Sequence, residues 1–238
     1  MNKKIILQKF FIEKNYPELI ELLTDSTDIY ELEFLAKCYL ELQNYKTAGE
    51  IFAKCNMHYE HGRCHLLMGN ITETQNIWKK ITSDNPATLW GKSLLEFINL
   101  YVINIPTFFQ IRAFLEVDLD ALLKARLINY CENIANGAHI LAKNNQESYK
   151  FIGRVFINNK YFDLAELYLN EAKNVCYIDP EVHYLLAKCH MNGGNLKEAK
   201  NALNASIKTG YGYFPAKKLL EKINLGWKIA ILWGKINT

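Results

Sequence analysis

The densest run of ligand-type side chains in the chain is Cys55-x2-His58-x2-His61-x2-Cys64-His65. Imidazole and thiolate are zinc donors, and His61 with His65 stand one helical turn apart, the spacing by which two histidines share a metal. A ladder of three-residue steps, however, rotates by about 60° per step around a helix. Cys55 and Cys64 therefore do not share one face with all three histidines. Partly buried structural histidines are expected, with no metal and no other cofactor. The carboxylate pairs Asp118 with Asp120 and Glu31 with Glu33 have the chemistry of general acids and bases, but helix capping and solvation account for both. No G-x-S-x-G, P-loop, G-x-G-x-x-G, H-E-x-x-H or C-x-x-C occurs. The expectation is a protein that is not an enzyme.

The elements that would position these residues come from an internal repeat. In residues 180–213, His183, Leu186, Ala187 and His190 recur at the spacing of one helix face, Gly194 follows, and Ala199 and Leu203 mark a second face. This predicts a helix, a short turn and a helix. Moving 34 residues upstream finds Tyr149, Ile152, Gly153 and Phe156, then Ala165 and Leu169, in the same places. Leu32, Leu35, Ala36 and Tyr39 with Ala48 and Phe52 form a further copy, and His58, His61, Gly62 and His65 with Thr74 and Trp78 a weaker one closed by Pro86.

The series resembles the tetratricopeptide repeat, whose motif runs large-x2-Leu-small-x2-aromatic, then Ala-x3-aromatic, then Pro, on a period of 34 residues. The physical logic is close helix approach: Ala36, Gly62, Gly153 and Ala187 are small on the first helix, and Ala48, Ala165 and Ala199 answer from the second. Thr74 departs from this, so its hairpin is expected to pack more loosely. Weaker hairpins are read at 1–28, at 86–117 with Pro106 in the first turn of its second helix, and at 118–145 with Asp118 or Asp120 as N-cap. Asp179-Pro180-Glu181 gives a clear helix start. The resemblance implies an all-α fold, a right-handed α-solenoid of about seven antiparallel helix pairs. Residues 1–224 would form one such domain, and residues 225–238, with Trp227 and Trp233 in an apolar run, a C-terminal tail or cap.

In each clear copy a basic residue follows the small one: Lys37, Arg63, Arg154 and Lys188. In stacks of this family that place looks into the concave groove, so these cations, with Tyr30, Tyr59, Lys150 and Tyr184, are the candidate partner-binding residues. The expected ligand is an acidic or carboxylate-bearing peptide or protein segment. Leu185 stands where the family's carboxylate clamp carries a polar group, which argues against that particular clamp. The functional expectation is a protein-interaction scaffold or adaptor. The alternatives are an accessory subunit of a catalytic chain such as a glycosyltransferase, and, less favoured, a metal-binding protein.

Composition bounds the partners. A formal charge of +3 spread over 238 residues carries no stripe suited to nucleic acid. No apolar run approaches the roughly 18 residues of a membrane span, and Lys3 and Lys4 precede only Ile5, Ile6 and Leu7 before Gln8 and Lys9 interrupt, too short for a signal peptide. The six cysteines fall within helical patterns, so reduced, mostly buried thiols in the cytoplasm are expected. The assembly expected is a monomer or a homodimer.

Overall fold

The computed structural model describes the backbone of residues 3–236 and the side chains of residues 3–225. Among the described residues every regular element is an α-helix. In chain order these are α1 (Lys3–Ile12), α2 (Tyr16–Leu23), α3 (Ile29–Glu41), α4 (Tyr45–Lys54), α5 (His58–Leu67), α6 (Ile71–Lys79), α7 (Pro86–Ile98), α8 (Phe108–Lys124), α9 (Ile128–Asn136), α10 (Ala138–Leu141), α11 (Ser148–Asn158), α12 (Phe162–Val175), α13 (Pro180–Asn192), α14 (Leu196–Thr209) and α15 (Phe214–Ile236). The fold is an all-α repeat. Its packing gathers into two compact units, Met1–Pro106 with Ala121–Ile134, and Thr107–Asp120 with Ala135–Thr238.

Within each unit the helices pack on their neighbours in sequence, as a repeat requires. In the first, α2 packs on α3, α3 on α4, α4 on α5 and α5 on α6; in the second, α11 packs on α12, α12 on α13, α13 on α14 and α14 on α15. The first unit's core joins Leu7, Leu19 and Leu23 to Leu35, Ala36, Ala48, Phe52 and Cys64. In the second, Ala187, Leu203 and Ala216 bury against one another.

One device ends most of these helices. A residue in the left-handed region closes the turn, and the next N–H donates to the carbonyl five residues back: Asn44 to Tyr39 after Gln43, Tyr161 to Phe156 after Lys160, Asn195 to His190 after Gly194. This Schellman geometry satisfies carbonyls that the helix leaves without partners. Lys14, Asn56, Leu100 and Arg126 occupy the same position as Gln43, although left-handed backbone costs Lys14, Leu100 and Arg126 about 1–2 kcal/mol each. At the other ends, Asp28, Asn44, Asn85 and Asp179 accept backbone N–H bonds as N-caps.

The small residues do what their spacing predicts. A Cβ built on Gly62 would lie 2.2 Å from Nε1 of Trp78, and one on Gly153 would lie 2.5 Å from Cγ of Leu169. Ala36, Ala48, Ala165, Ala187 and Ala199 are fully buried. The hairpin of Thr74 is not loose: this side chain is fully buried and its hydroxyl donates to Gly62 O at 3.2 Å or Asn70 O at 3.0 Å. Trp78 Nε1 donates to Tyr59 O at 3.0 Å and its ring stacks on Tyr59 at 5.3 Å.

Three local expectations are corrected. Asp118 and Asp120 cap nothing, because α8 runs unbroken through both. Ile111, Leu115, Leu119 and Leu122 are buried at helical spacing, and that stripe overrides the two aspartates; Asp120 instead accepts from Asn159 at 2.8 Å. Pro106 lies just outside α8, whose start is a capping box in which Thr107 N–H donates to Gln110 Oε1 at 2.8 Å and Gln110 N–H to Thr107 Oγ1 at 3.3 Å. The last helix runs from Phe214 to Ile236, so the segment read as a tail or cap from residue 225 continues it as helix. The apolar side chains expected to cover its end, Trp227 and Trp233 among them, lie outside the described ones.

Two measurements check this packing. Gly62→Ala should lower unfolding stability by about 2 kcal/mol in urea denaturation, because the indole of Trp78 is fixed by stacking and a hydrogen bond and cannot retreat cheaply; an unchanged midpoint would contradict the close approach. Burial pushes the thiols of Cys64, Cys131 and Cys189 up to about 12 and that of Cys38 up to about 11. An aromatic disulfide reagent at pH 8 should therefore label exposed Cys176 quickly and half-buried Cys55 slowly, the other four reacting only on unfolding.

Candidate functional site

Of the eight candidate partner-binding residues, Tyr30, Lys37, Tyr59 and Arg63 lie in the first unit, on α3 and α5. Tyr30 packs edge-on against Phe34 with the Lys4 ammonium 4.6 Å above its ring. Lys37 reaches Glu33, one turn back, at 2.5 Å. Tyr59 is committed to Trp78. Arg63 is half-buried, and its charge draws the Tyr45 phenol downward against the larger upward effect of burial.

Lys150, Arg154, Tyr184 and Lys188 lie in the second unit, on α11 and α13, the first helices of successive hairpins. Tyr184 meets Tyr213 edge-on at 5.9 Å, and Lys188 sits 6.0 Å from the centre of the Tyr184 ring. Lys150 and Arg154 do not wait for a ligand. Lys150, only 8% exposed, reaches Glu147 at 2.5 Å, Asp179 at 2.7 Å and Glu181 at 3.7 Å. Arg154 spans Glu116 at 3.0 and 3.2 Å and Glu181 at 2.9 Å, with its guanidinium 5.6 Å from the centre of the Phe151 ring. Arg112 bonds Glu147 at 3.0 Å. Together Arg112, Glu116, Glu147, Lys150, Phe151, Arg154 and Glu181 line a cleft of about 230 Å³.

The electrostatics follow from this geometry. Burial would push the Lys150 ammonium down, but hydrogen bonds to Asp179 and Glu147 outweigh it and the net shift is upward. Its stabilising contribution is present below the ordinary lysine pKa and lost only as pH rises through the raised one, so it is intact at neutral pH. Burial raises the Glu116 carboxyl, opposed by Arg154 and reinforced by Glu181. These groups can hold a ligand by charge-assisted hydrogen bonds.

Arg112, Glu116, Glu147, Asp179 and Glu181 were not foreseen as a site. The one available signal was Asp179-Pro180-Glu181, read as a helix start. It is one, since Asp179 Oδ1 accepts the Glu181 N–H at 2.9 Å, yet the other oxygen of Asp179 takes Lys150. Leu185 is buried. In the histidine and cysteine ladder Cys64 is buried, Cys55, His61 and His65 are half-buried and His58, expected to be partly buried, is exposed. His61 and His65 meet edge-on at 5.0 Å, and burial, then His65 and His58, lower the His61 pKa. Among the described residues no three histidine, cysteine or carboxylate side chains are placed to hold a metal ion.

Removing the deepest cation should unbalance the network. Lys150→Met should lower stability by about 2 kcal/mol, less than for a fully buried pair because Glu147 and Glu181 keep water. Arg112→Gln, at the exposed rim, should change stability by less than about 0.5 kcal/mol, and equal effects in urea denaturation would contradict the depth difference.

Residues 180–209, the hairpin of α13 and α14, match the family model of the tetratricopeptide repeat. No curated protein matches the chain. Solved structures similar to it include YrrB, described as a TPR protein with an unusual peptide-binding site, at TM-score 0.37 and 10% identity, covering 87% of this chain and 97% of that one. Another is the APC/C hetero-tetramer Cut9–Hcn1, at TM-score 0.39 and 14% identity, covering 91% of this chain and 41% of that one. A third is the TPR2AB-domain:pHSP90 complex of yeast Sti1, at TM-score 0.37 and 15% identity, covering 94% of this chain and 95% of that one. Residues 180–209 thus match a tetratricopeptide repeat, and the small-residue approaches at Gly62 and Gly153 repeat its kind of packing in earlier hairpins, so the chain is similar to tetratricopeptide-repeat proteins.

Proposed function

We propose that this protein is a non-catalytic interaction scaffold that binds a peptide or protein segment in a concave groove lined by the first helices of its hairpins. The observation that carries the reading is the repeat itself, matched at residues 180–209, because stacked hairpins of this kind offer a run of side chains along one face and no enclosed chamber for chemistry. The contact residues in this reading are Tyr30, Lys37, Tyr59 and Arg63 in the first unit and Tyr184 and Lys188 in the second. Lys150 and Arg154 act at the cleft together with the carboxylates that hold them. Because Lys37, Lys150 and Arg154 spend charge on carboxylates of their own chain, the reading does not require an acidic ligand.

The reading favours the cytoplasm, in keeping with six cysteines that carry no disulfide. No helix among the described residues is long and apolar enough to cross a membrane.

The test compares the full chain with a Lys37→Glu, Arg63→Glu, Lys188→Glu variant of equal helical circular dichroism, each immobilised and challenged with lysate. Proteins held saturably by the first and lost from the second are the expected outcome. Equal capture by both would remove these faces from the reading, and no saturable capture by either would remove the scaffold.

A further inference from the structure

The cleft of the second unit has a charge balance that bears on what enters it. Three cations, Arg112, Lys150 and Arg154, share one network with four carboxylates, Glu116, Glu147, Asp179 and Glu181. Each cation already has a carboxylate of the chain within 3.0 Å. The acidic side chains also reach the solvent more than the central cation does: Glu116 and Glu181 are each 31% exposed and Glu147 40%, against 8% for Lys150. A carboxylate has about four lone-pair directions, and both cation contacts of Glu181 fall on its Oε2 alone. At Arg154 an incoming anion would have to displace Glu116 or Glu181, and at the exposed rim cation Arg112 it would still add to the negative excess of the network. An incoming cation meets unused acceptor capacity and restores neutrality.

Shape restricts the visitor further. About 230 Å³ is below the range of small-molecule pockets and suits a single long side chain. Phe151 borders the cleft but is buried beneath the Arg154 guanidinium, so the lining offered to a visitor is mainly polar and suits the charged head of a lysine or arginine rather than its stem. Resting on the interaction reading above, we propose that this cleft receives one lysine or arginine side chain of the bound segment, held by Glu116, Glu147 and Glu181. Lys150 and Arg154 then act as positioning residues that fix those carboxylates, rather than as the groups that grip the ligand.

The test uses isotope-labelled full chain titrated at low salt with acetyl-lysine amide, acetyl-arginine amide and acetyl-glutamate amide, followed by NMR. The basic probes should perturb the amides of residues 147–154 and the Arg154 Nε–H signal saturably, and the acidic probe should not. Glu116→Gln with Glu147→Gln should abolish the response. Should that variant unfold, Arg112→Gln decides, because removing a rim cation should tighten the basic probes about threefold. Weaker binding of the basic probes to Arg112→Gln, saturable binding of the acidic probe, or no perturbation by any probe would overturn the proposal. Lysate capture retained beside a silent cleft would leave the scaffold standing and sink only the basic side chain. A responding cleft with no capture would do the reverse.

Discussion

The architecture depends on how closely two helices of one hairpin can approach. Where Gly62 faces Trp78 and Gly153 faces Leu169, not even a methyl group fits, and that contact sets the packing of α5 on α6 and of α11 on α12. The two hairpins solve the problem differently. At Gly153 the partner is an aliphatic side chain beside Ala165, and the contact is purely steric. At Gly62 the partner is an indole that also donates to Tyr59 O and stacks on the Tyr59 ring, while Thr74 brings a hydroxyl to the Gly62 carbonyl. A polar residue in the place of alanine thus tightens that hairpin instead of loosening it, because the buried hydroxyl finds backbone acceptors.

Satisfying the helix ends is the second constraint. Ten or more short helices in one chain leave many N–H and C=O groups without intrahelical partners, and burial would make each expensive. The same left-handed closure recurs after Gln43, Asn56, Gly69, Lys160 and Gly194, so turn geometry repeats even where hairpin length does not. Gly69, Gly194 and, more weakly, Asn56 advertise that conformation in their residue type. At Gln43 and Lys160 the hydrogen bond to the carbonyl five back, imposed by the neighbouring helices, offsets the local cost.

Charge is organised by the same stacking. Because α11 and α13 are adjacent first helices, the N-terminal carboxylates of α13 arrive beside Lys150 in the first turn and Arg154 in the second turn of α11. Asp179 therefore serves as N-cap and as counterion at once, tying the start of one hairpin to the one before it. A residue that reads as basic in isolation is neutralised in place, and the character of the surface passes to the carboxylates around it.

The amino-acid sequence by itself determined the hairpins wherever small residues, apolar periodicity and turn residues agree, as in α3 with α4 and α11 through α14, since period and steric size are local properties of the chain. Helical rotation also separates Cys55 and Cys64 from a face shared by all three histidines, a local property of the chain. It did not determine α8, where Asp118 and Asp120 resemble a cap and only burial of the Ile111, Leu115, Leu119 and Leu122 stripe shows a continuous helix. Nor did it reveal the cleft. Glu116, Glu147 and Glu181 lie in separate helices or turns, and their convergence on Lys150 and Arg154 exists only once packing brings those elements within about 3 Å of one another, the range over which charge-assisted hydrogen bonds act.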